Sequence, residues 1–223
     1  MSNIIAINGS PKAIDSVSGM VINQIEGIIK TPITTYQAVK LIRQQEGLSE
    51  TLLNILKADT LLFVFPLYVD SLPAPLIKIM TLIEQANTVR RERPPKVYAV
   101  CNCGFLEAGH TRLALDIMKN FCMRAGLVWG YGIGTGSGGF ILTQSKNMSK
   151  GKGPAATIYS ALCGLGKSIQ TGYVENENIE KQNVFVTVKM PRLLYSFVCN
   201  LGWRLMAKKY NAGNALMAKP HQG

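Results

Sequence analysis

Short apolar runs alternate along this chain with longer amphipathic stretches. Three of the runs are rich in β-branched or aromatic residues and end at turn-forming residues; they span positions 3–7, 60–65 and 97–101. Continuous apolar runs bounded by turns are typical of strands buried on both faces of a parallel sheet. Weaker patterns predict further extended segments at residues 32–39, 127–133 and 184–188.

Between these runs, apolar residues recur at spacings of three and four, which is the helical period. The first such stretch carries Met20, Ile22, Ile25, Ile28 and Ile29. Further helices are predicted at 48–58, 74–86, 111–125, 155–171 and from Pro191 to about 209. Alternation of strands and helices predicts βαβ units, and therefore a doubly wound, three-layer α/β/α domain around a parallel sheet.

Neither a repeat nor a linker divides the chain, and 223 residues suit one domain. We predict that this domain spans residues 1–180 and that a C-terminal extension follows at 181–223, made of a strand and an amphipathic helix. The helix has four apolar residues on one face: Leu194, Phe197, Val198 and Leu201. Two interpretations of this face stay open: it docks on the core or on a second subunit, or it lies at a membrane interface.

Cysteine content and hydropathy limit the class of protein. The five cysteines are an odd number without a CxxC pair, which argues against a disulfide framework, a zinc ribbon or an iron–sulfur cluster. No signal peptide is recognisable at the N-terminus, and the longest uncharged stretch, 126–145, is broken by glycines. We therefore expect a cytoplasmic protein with reduced thiols, no metal and no stable membrane insertion.

The net charge of +11 is unevenly distributed: residues 140–223 carry 11 Lys and Arg against 3 acidic residues. A basic segment of this kind attracts nucleic acid, an anionic membrane surface or a phosphorylated ligand. Because no nucleic-acid-reading module is recognisable, we do not expect nucleic acid to be the partner.

In a doubly wound sheet, ligands bind beyond the carboxyl ends of the strands, where the strand order reverses. The first loop there holds Ser10, Lys12, Ser16 and Ser18 just before a helix. Hydroxyls, a lysine and the unpaired N–H groups of a helix start can hold a phosphate. The alternative is that Ser16 is an N-cap and Lys12 a solvated side chain.

The loops after the next two strong strands complete this edge. Residues 66–73 combine prolines, an aromatic residue and a small polar one, which suits a wall for a flat ring; the alternative is an ordinary turn into a helix. Residues 102–110 contain Cys103, which we assign to packing or backbone contact, and His110, which is typical of a capping or surface position.

Three motifs follow the three strong strands in order: Ile7-Asn-Gly-Ser-Pro-Lys12, Phe65-Pro-Leu-Tyr-Val-Asp-Ser-Leu-Pro73 and Cys103-Gly-Phe105. Taken together, they resemble the motifs of the flavodoxin-like NAD(P)H-dependent FMN reductases. The resemblance covers roughly residues 3–140. It implies a flavodoxin-like fold and hydride transfer from NAD(P)H to bound FMN, then to a quinone, a flavin or another small acceptor. It also implies a homodimer, and it places FMN binding in the predicted domain 1–180.

The resemblance also assigns residues to parts of FMN. The residues implied to bind the phosphate are Ser10, Lys12, Ser16 and Ser18. Those implied to flank the isoalloxazine ring are Pro66, Leu67, Tyr68 and Val69, and those implied to contact its other edge are Asn102, Cys103, Gly104 and Phe105. Because the cofactor carries the chemistry, no side chain need act as a proton donor, and we name no catalytic residue. The alternative function is a flavodoxin-type electron carrier, against which the charge of +11 speaks because such carriers are usually acidic.

Two glycine-rich segments mimic nucleotide motifs. Gly134–Gly139 fits GxGxxG, but we expect no helix directly after it and find no acidic residue about 20 positions on, so we interpret it as a flexible loop that could lie near the flavin. Gly164-Leu-Gly-Lys-Ser168 echoes a P-loop, but Ala161 replaces the first glycine, and we interpret it as the end of a helix.

Overall fold

The structure is a computed structural model that describes residues 2–12, 14–44, 46–87, 92–139, 141, 152–171 and 182–212. Within these ranges, six strands form one parallel sheet in the order β2-β1-β3-β4-β5-β6. The strands are β1 Ile4–Asn8, β2 Thr34–Gln37, β3 Thr60–Pro66, β4 Lys96–Asn102, β5 Val128–Thr135 and β6 Val184–Val186.

Helices cover both faces of this sheet, as the continuous apolar strands require. The helices are α1 Val17–Ile29, α2 Ala38–Leu41, α3 Leu48–Leu56, α4 Ala74–Ala86, α5 Arg112–Arg124, α6 Ala156–Thr171 and α7 Arg192–Lys209, with a 3-10 helix at Ala108–Thr111. Side chains of α2 to α5 share one hydrophobic cluster with the sheet, whereas α1 and α6 pack against each other on the opposite face.

Aromatic pairs mark the core on each face. Phe63 and Phe121 meet edge to face at 6.1 Å between ring centroids on the α5 side. Tyr98 and Tyr131 do the same at 5.5 Å on the α6 side, and the Tyr98 hydroxyl donates to the Ser168 carbonyl at 3.1 Å. The buried phenol therefore keeps its hydrogen bond while its ring fills the core.

The predicted doubly wound fold is confirmed, with one local difference in the second strand. The pattern at 32–39 predicts a longer strand, but β2 ends at Gln37 and the chain turns directly into α2. Ala38 and Val39, the last two residues of the predicted strand, belong instead to α2, in which Ala38 and Leu41 are buried.

The chain divides into two compact units, Met1–Val188 and Lys189–Gly223. Strand β6 pairs with β5 and so belongs to the first unit, although the sequence grouped it with the C-terminal extension. The second unit contains α7. Judged over the described part of the chain, each helix falls short of the length or the apolar character needed to cross a membrane.

The strand order also locates the crevice in which such folds bind ligands. The chain moves outward from β1 to β2 and then returns past β1 to place β3 on its other side. Because the connections leave β1 and β3 in opposite directions, a gap opens beyond their carboxyl ends. The loops that follow β1, β3 and β4 are therefore the first place to look for a site.

Candidate functional site

Three loops meet at the carboxyl edge of adjacent strands. The loop after β1 is tied to β3 through the Gly9 N–H, which donates to the Val64 carbonyl at 2.8 Å. The loop after β3 is tied to β4 through the Leu67 N–H, which donates to the Asn102 carbonyl at 2.8 Å. The structure thus brings all twelve residues proposed from the sequence to one edge of the sheet.

The loop after β1 is a hydrogen-bonded turn. The Ser10 N–H donates to Asn8 Oδ1 at 3.0 Å, and the Lys12 N–H donates to Ser10 Oγ at 3.2 Å. Lys12 Nζ donates to the Asp15 carbonyl at 3.2 Å, and Gln37 Nε2 donates to the Lys12 carbonyl at 2.9 Å. These contacts hold the lysine charge beside the start of α1, where it adds to the positive end of the helix dipole.

Ser16 is the N-cap of α1, as one of the two interpretations had it. Its Oγ accepts the Gly19 N–H at 3.0 Å and lies 3.4 Å from Asn8 Nδ2. The cap satisfies only one of the N–H groups at the start of the helix. Those of Val17 and Ser18 have no carbonyl acceptor within the helix, because they lie in its first turn. These two donors, together with the dipole, still suit an anion.

Three buried hydroxyls lie near this edge without a hydrogen-bond partner. Among buried side-chain nitrogen and oxygen atoms of the described residues, those lacking a partner are Ser18 Oγ, Thr135 Oγ1 and Ser137 Oγ. Ser18 lies in the first turn of α1, Thr135 ends β5 and Ser137 follows that strand, and each residue is at most 1% exposed. A buried polar group left unpaired costs about 1–3 kcal/mol, so each of these hydroxyls indicates a ligand or bound water.

The loop after β3 is a tight turn with an unusual backbone. Tyr68 and Ser71 exchange two hydrogen bonds, each of 3.0 Å. The two residues between them, Val69 and Asp70, have φ angles of +49° and +56°. Consecutive left-handed residues define a type I′ turn, in which a β-branched residue is an outlier. Val69 is 98% exposed, so packing of its side chain does not offset the energetic cost of this backbone conformation.

Replacing Val69 by glycine is expected to raise the free energy of unfolding by about 1 kcal/mol, because glycine adopts the left-handed region without steric cost. Urea denaturation measures this change. Asp70→Gly is the matched control and should gain less, since aspartate tolerates this conformation. A Val69→Gly protein no more stable than the parent would contradict the assigned strain.

The loop after β4 is held from both sides. Asn102 is buried and its Nδ2 donates to the Phe65 carbonyl at 3.0 Å, while the Cys103 N–H donates to the Thr135 carbonyl at 2.9 Å. Gly104 is exposed and leads to Phe105, which is 58% exposed. The Phe105 ring lies 4.6 Å from the His110 ring at an angle of 37°. This places an exposed aromatic pair beside the candidate site.

Cys103 is a buried thiol that contacts backbone. Its Sγ lies 3.7 Å from the Phe105 carbonyl and 3.6 Å from the Glu107 carbonyl, both acceptors for the S–H. Burial raises the pKa of this thiol, and the nearby Glu107 raises it further against the opposing effect of the Phe105 contact. At neutral pH the group is therefore protonated, which agrees with a packing role.

Cys103 is therefore expected to react with iodoacetamide at pH 7 at least about 10-fold more slowly than the half-buried Cys163 and Cys199. Peptide mass spectrometry after timed alkylation gives the rate for each thiol. In urea all five cysteines should label alike. Labelling of Cys103 as fast as Cys199 in the folded protein would show an accessible thiolate instead.

The segment Gly134–Gly139 is tied to the loop after β4. The Ser137 N–H donates to the Phe105 carbonyl at 2.6 Å, and the Gly138 N–H donates to the Cys103 carbonyl at 2.8 Å. A side chain at Gly136 would overlap the Leu106 carbonyl oxygen. The interpretation as a flexible loop is therefore wrong up to Gly138, because these residues pack closely at the same edge of the sheet.

The prediction that no helix follows this segment directly is also wrong, because Gly138 and Gly139 are already helical. Strand, glycines and helix thus do follow one another here. The segment nevertheless follows β5 rather than the first strand, and the acidic residue expected about 20 positions on is absent. Gly164–Ser168 lies inside α6 rather than after a strand, so it is not a P-loop.

Comparison with known proteins agrees with this architecture. No protein-family model and no curated protein sequence matches the chain. Among solved structures, an NADH:FMN oxidoreductase in its apo form superimposes with a TM-score of 0.57 at 14% identity, over 87% of this chain and 99% of that one. An NADPH-quinone reductase from P. pentosaceus gives 0.52 at 15% identity, over 78% and 100%.

A third solved structure, an oxidoreductase from Corynebacterium diphtheriae, gives a TM-score of 0.52 at 12% identity over 74% of this chain and 92% of that one. At these identities the comparison concerns the fold. The strand order 2-1-3-4-5, extended here by β6, is that of flavodoxin. The chain therefore has a flavodoxin-like α/β fold, as the sequence predicted.

Proposed function

We propose that this protein is an FMN-dependent oxidoreductase that takes hydride from NAD(P)H and passes electrons to a quinone, a flavin or another small acceptor. The observation that carries the proposal is that three buried hydroxyls near the carboxyl edge of the sheet, those of Ser18, Thr135 and Ser137, have no hydrogen-bond partner. Their position beside three loops of the switch-point crevice fits a polar cofactor.

The FMN phosphate would lie at the start of α1. There the N–H groups of Val17 and Ser18 are free of intrahelical bonds, and Lys12 and Ser10 stand in the preceding turn. The Ser16 hydroxyl already accepts the Gly19 N–H, so it would donate its own hydrogen to a phosphate oxygen. A doubly charged group would thus meet backbone, hydroxyl and ammonium donors together.

The isoalloxazine ring would lie between the loops after β3 and β4. Pro66, Leu67, Tyr68 and Val69 would border one side, with Asn102, Cys103, Gly104 and Phe105 on the other. The Leu67 N–H donates to the Asn102 carbonyl, so a hydrogen bond links the two loops that would border the ring. FMN supplies the hydride chemistry when bound, while these residues orient the ring and exclude water.

The charge of the chain supports NAD(P)H as the donor. A net charge of +11 attracts an anionic dinucleotide and speeds its encounter with the site. The same charge does not suit an electron carrier that docks through an acidic surface. We include a homodimer in the proposal on the basis of the sequence resemblance, and a cytoplasmic location on the basis of the odd number of cysteines without a CxxC pair.

The test is reconstitution followed by anaerobic reduction. Purified protein is mixed with FMN, freed of unbound flavin and examined by visible absorption, and then NADH or NADPH is added without oxygen. We expect a retained flavin spectrum that bleaches within seconds. Failure to retain FMN would refute the cofactor assignment. Retained FMN that neither nucleotide reduces would refute the reductase assignment and identify a carrier.

A further inference from the structure

Helix α7 exposes a broad apolar surface. Leu193, Phe197, Leu201 and Leu205 recur every four residues and therefore lie along one side of the helix. Their side chains are exposed by 88%, 66%, 47% and 60%. Trp203 and Met206, on the other side, are exposed as well. Contiguous apolar surface of this extent marks an interaction site rather than ordinary surface.

The charges around this surface all have one sign. Residues 182–212 contain five basic side chains and no Asp or Glu. Arg204, Lys208 and Lys209 lie around the C-terminal end of the apolar row, while Lys189 and Arg192 precede it. Because every charged side chain within residues 182–212 is basic, this segment favours anionic surfaces, most strongly at low ionic strength.

Charge also discriminates between the possible occupants of this face. A second copy of the chain would bring the same cations opposite one another, and like charges across an interface oppose association. An anionic lipid surface offers both an apolar layer for the leucines and phosphates for the cations.

We propose that α7 binds reversibly along an anionic membrane surface, with its leucine row in the acyl boundary and its basic residues at the headgroups. The 18-residue helix is not apolar enough to span a bilayer, so it lies in the interface plane. Arg204 and Lys208 reach the headgroups by extending their aliphatic stems past the apolar row. This inference does not depend on the flavin site.

The first measurement is co-sedimentation of the full chain with vesicles, with and without added FMN. On vesicles of equal parts phosphatidylcholine and phosphatidylglycerol, we expect binding about 10-fold stronger than on pure phosphatidylcholine, and weakened by salt.

Paired variants assign the binding to this helix. Leu193→Gln with Phe197→Gln should abolish it, whereas Leu53→Gln, at an exposed leucine on α3, should not. Lys208→Glu with Lys209→Glu should reduce it at least about 10-fold, whereas the equal charge change Lys57→Glu with Lys78→Glu should have a smaller effect.

Two results would overturn the proposal. One is equal sedimentation with neutral and anionic vesicles, or none with either. The other is a concentration-dependent dimer that the Leu193→Gln, Phe197→Gln protein no longer forms, in the absence of vesicle binding. That result would assign the apolar face to self-association, and light scattering after size-exclusion chromatography measures it.

Discussion

Replacing Lys12 by glutamate is expected to weaken FMN binding about 100-fold and to leave riboflavin binding unchanged. Lys12 stands in the turn before α1, with its ammonium 3.2 Å from the Asp15 carbonyl. A phosphate at the N–H groups of Val17 and Ser18 would gain a charge-assisted hydrogen bond from this group. Glutamate removes that donor and adds a like charge beside the phosphate.

Riboflavin separates the phosphate contact from any general effect on the loop, because it carries the same ring without the phosphate. Fluorescence titration with each flavin gives the two affinities. Lys57→Glu is the matched control: Lys57 is exposed just after α3, near the amino end of β3, and the change in net charge is the same. Equal weakening of FMN and riboflavin binding would show that Lys12 shapes the loop instead of holding the phosphate.

Gly136→Ala is expected to destabilise the fold by about 3 kcal/mol. An added Cβ would overlap the Leu106 carbonyl oxygen, and it would lie 2.7 Å from the Leu106 carbonyl carbon and 3.1 Å from the Ala108 nitrogen. These are backbone atoms, so no side-chain rotation relieves the clash. The backbone between the loop after β4 and the 3-10 helix must move, and FMN affinity is expected to fall with it.

Gly27→Ala provides the contrast. Gly27 lies inside α1, and no atom outside the helix lies within 4 Å of the position that an alanine Cβ would take. Alanine is therefore expected to stabilise the helix by about 0.5–1 kcal/mol. Urea denaturation of both proteins at one pH gives the two changes. A Gly136→Ala protein as stable as the parent would mean that the segment after β5 yields easily, and the packing described for this edge would then be incorrect.

Local features of the site were predictable from the sequence because their causes are local. The buried strands show as apolar runs, and the Ser16 cap depends on an oxygen and an N–H only three residues apart. The order of the three loops along the chain suffices to place them together, since parallel strands end at one edge. The exact length of β2 was not predictable, because Ala38 and Leu41 suit a strand or a helix alike.

Tertiary contacts decided the rest. Gly136 lies against the Leu106 carbonyl, and the Cys103 N–H donates to the Thr135 carbonyl. In each case about thirty residues separate the two partners in the sequence, so no local pattern predicts the contact. Val69 adopts a left-handed conformation against its intrinsic preference, so its sequence pointed away from the observed turn.

The same distinction holds for the C-terminal helix. Its sequence determined that Leu193, Phe197 and Leu201 share one side, because helical periodicity depends on spacing alone. That spacing does not say whether the side is buried, and within the unit Lys189–Gly223 these residues are exposed. The sequence by itself therefore determined the elements, the loop order and the basic charge. Only the tertiary structure decided which hydroxyls stay unpartnered, because their partners come from segments that are distant in sequence.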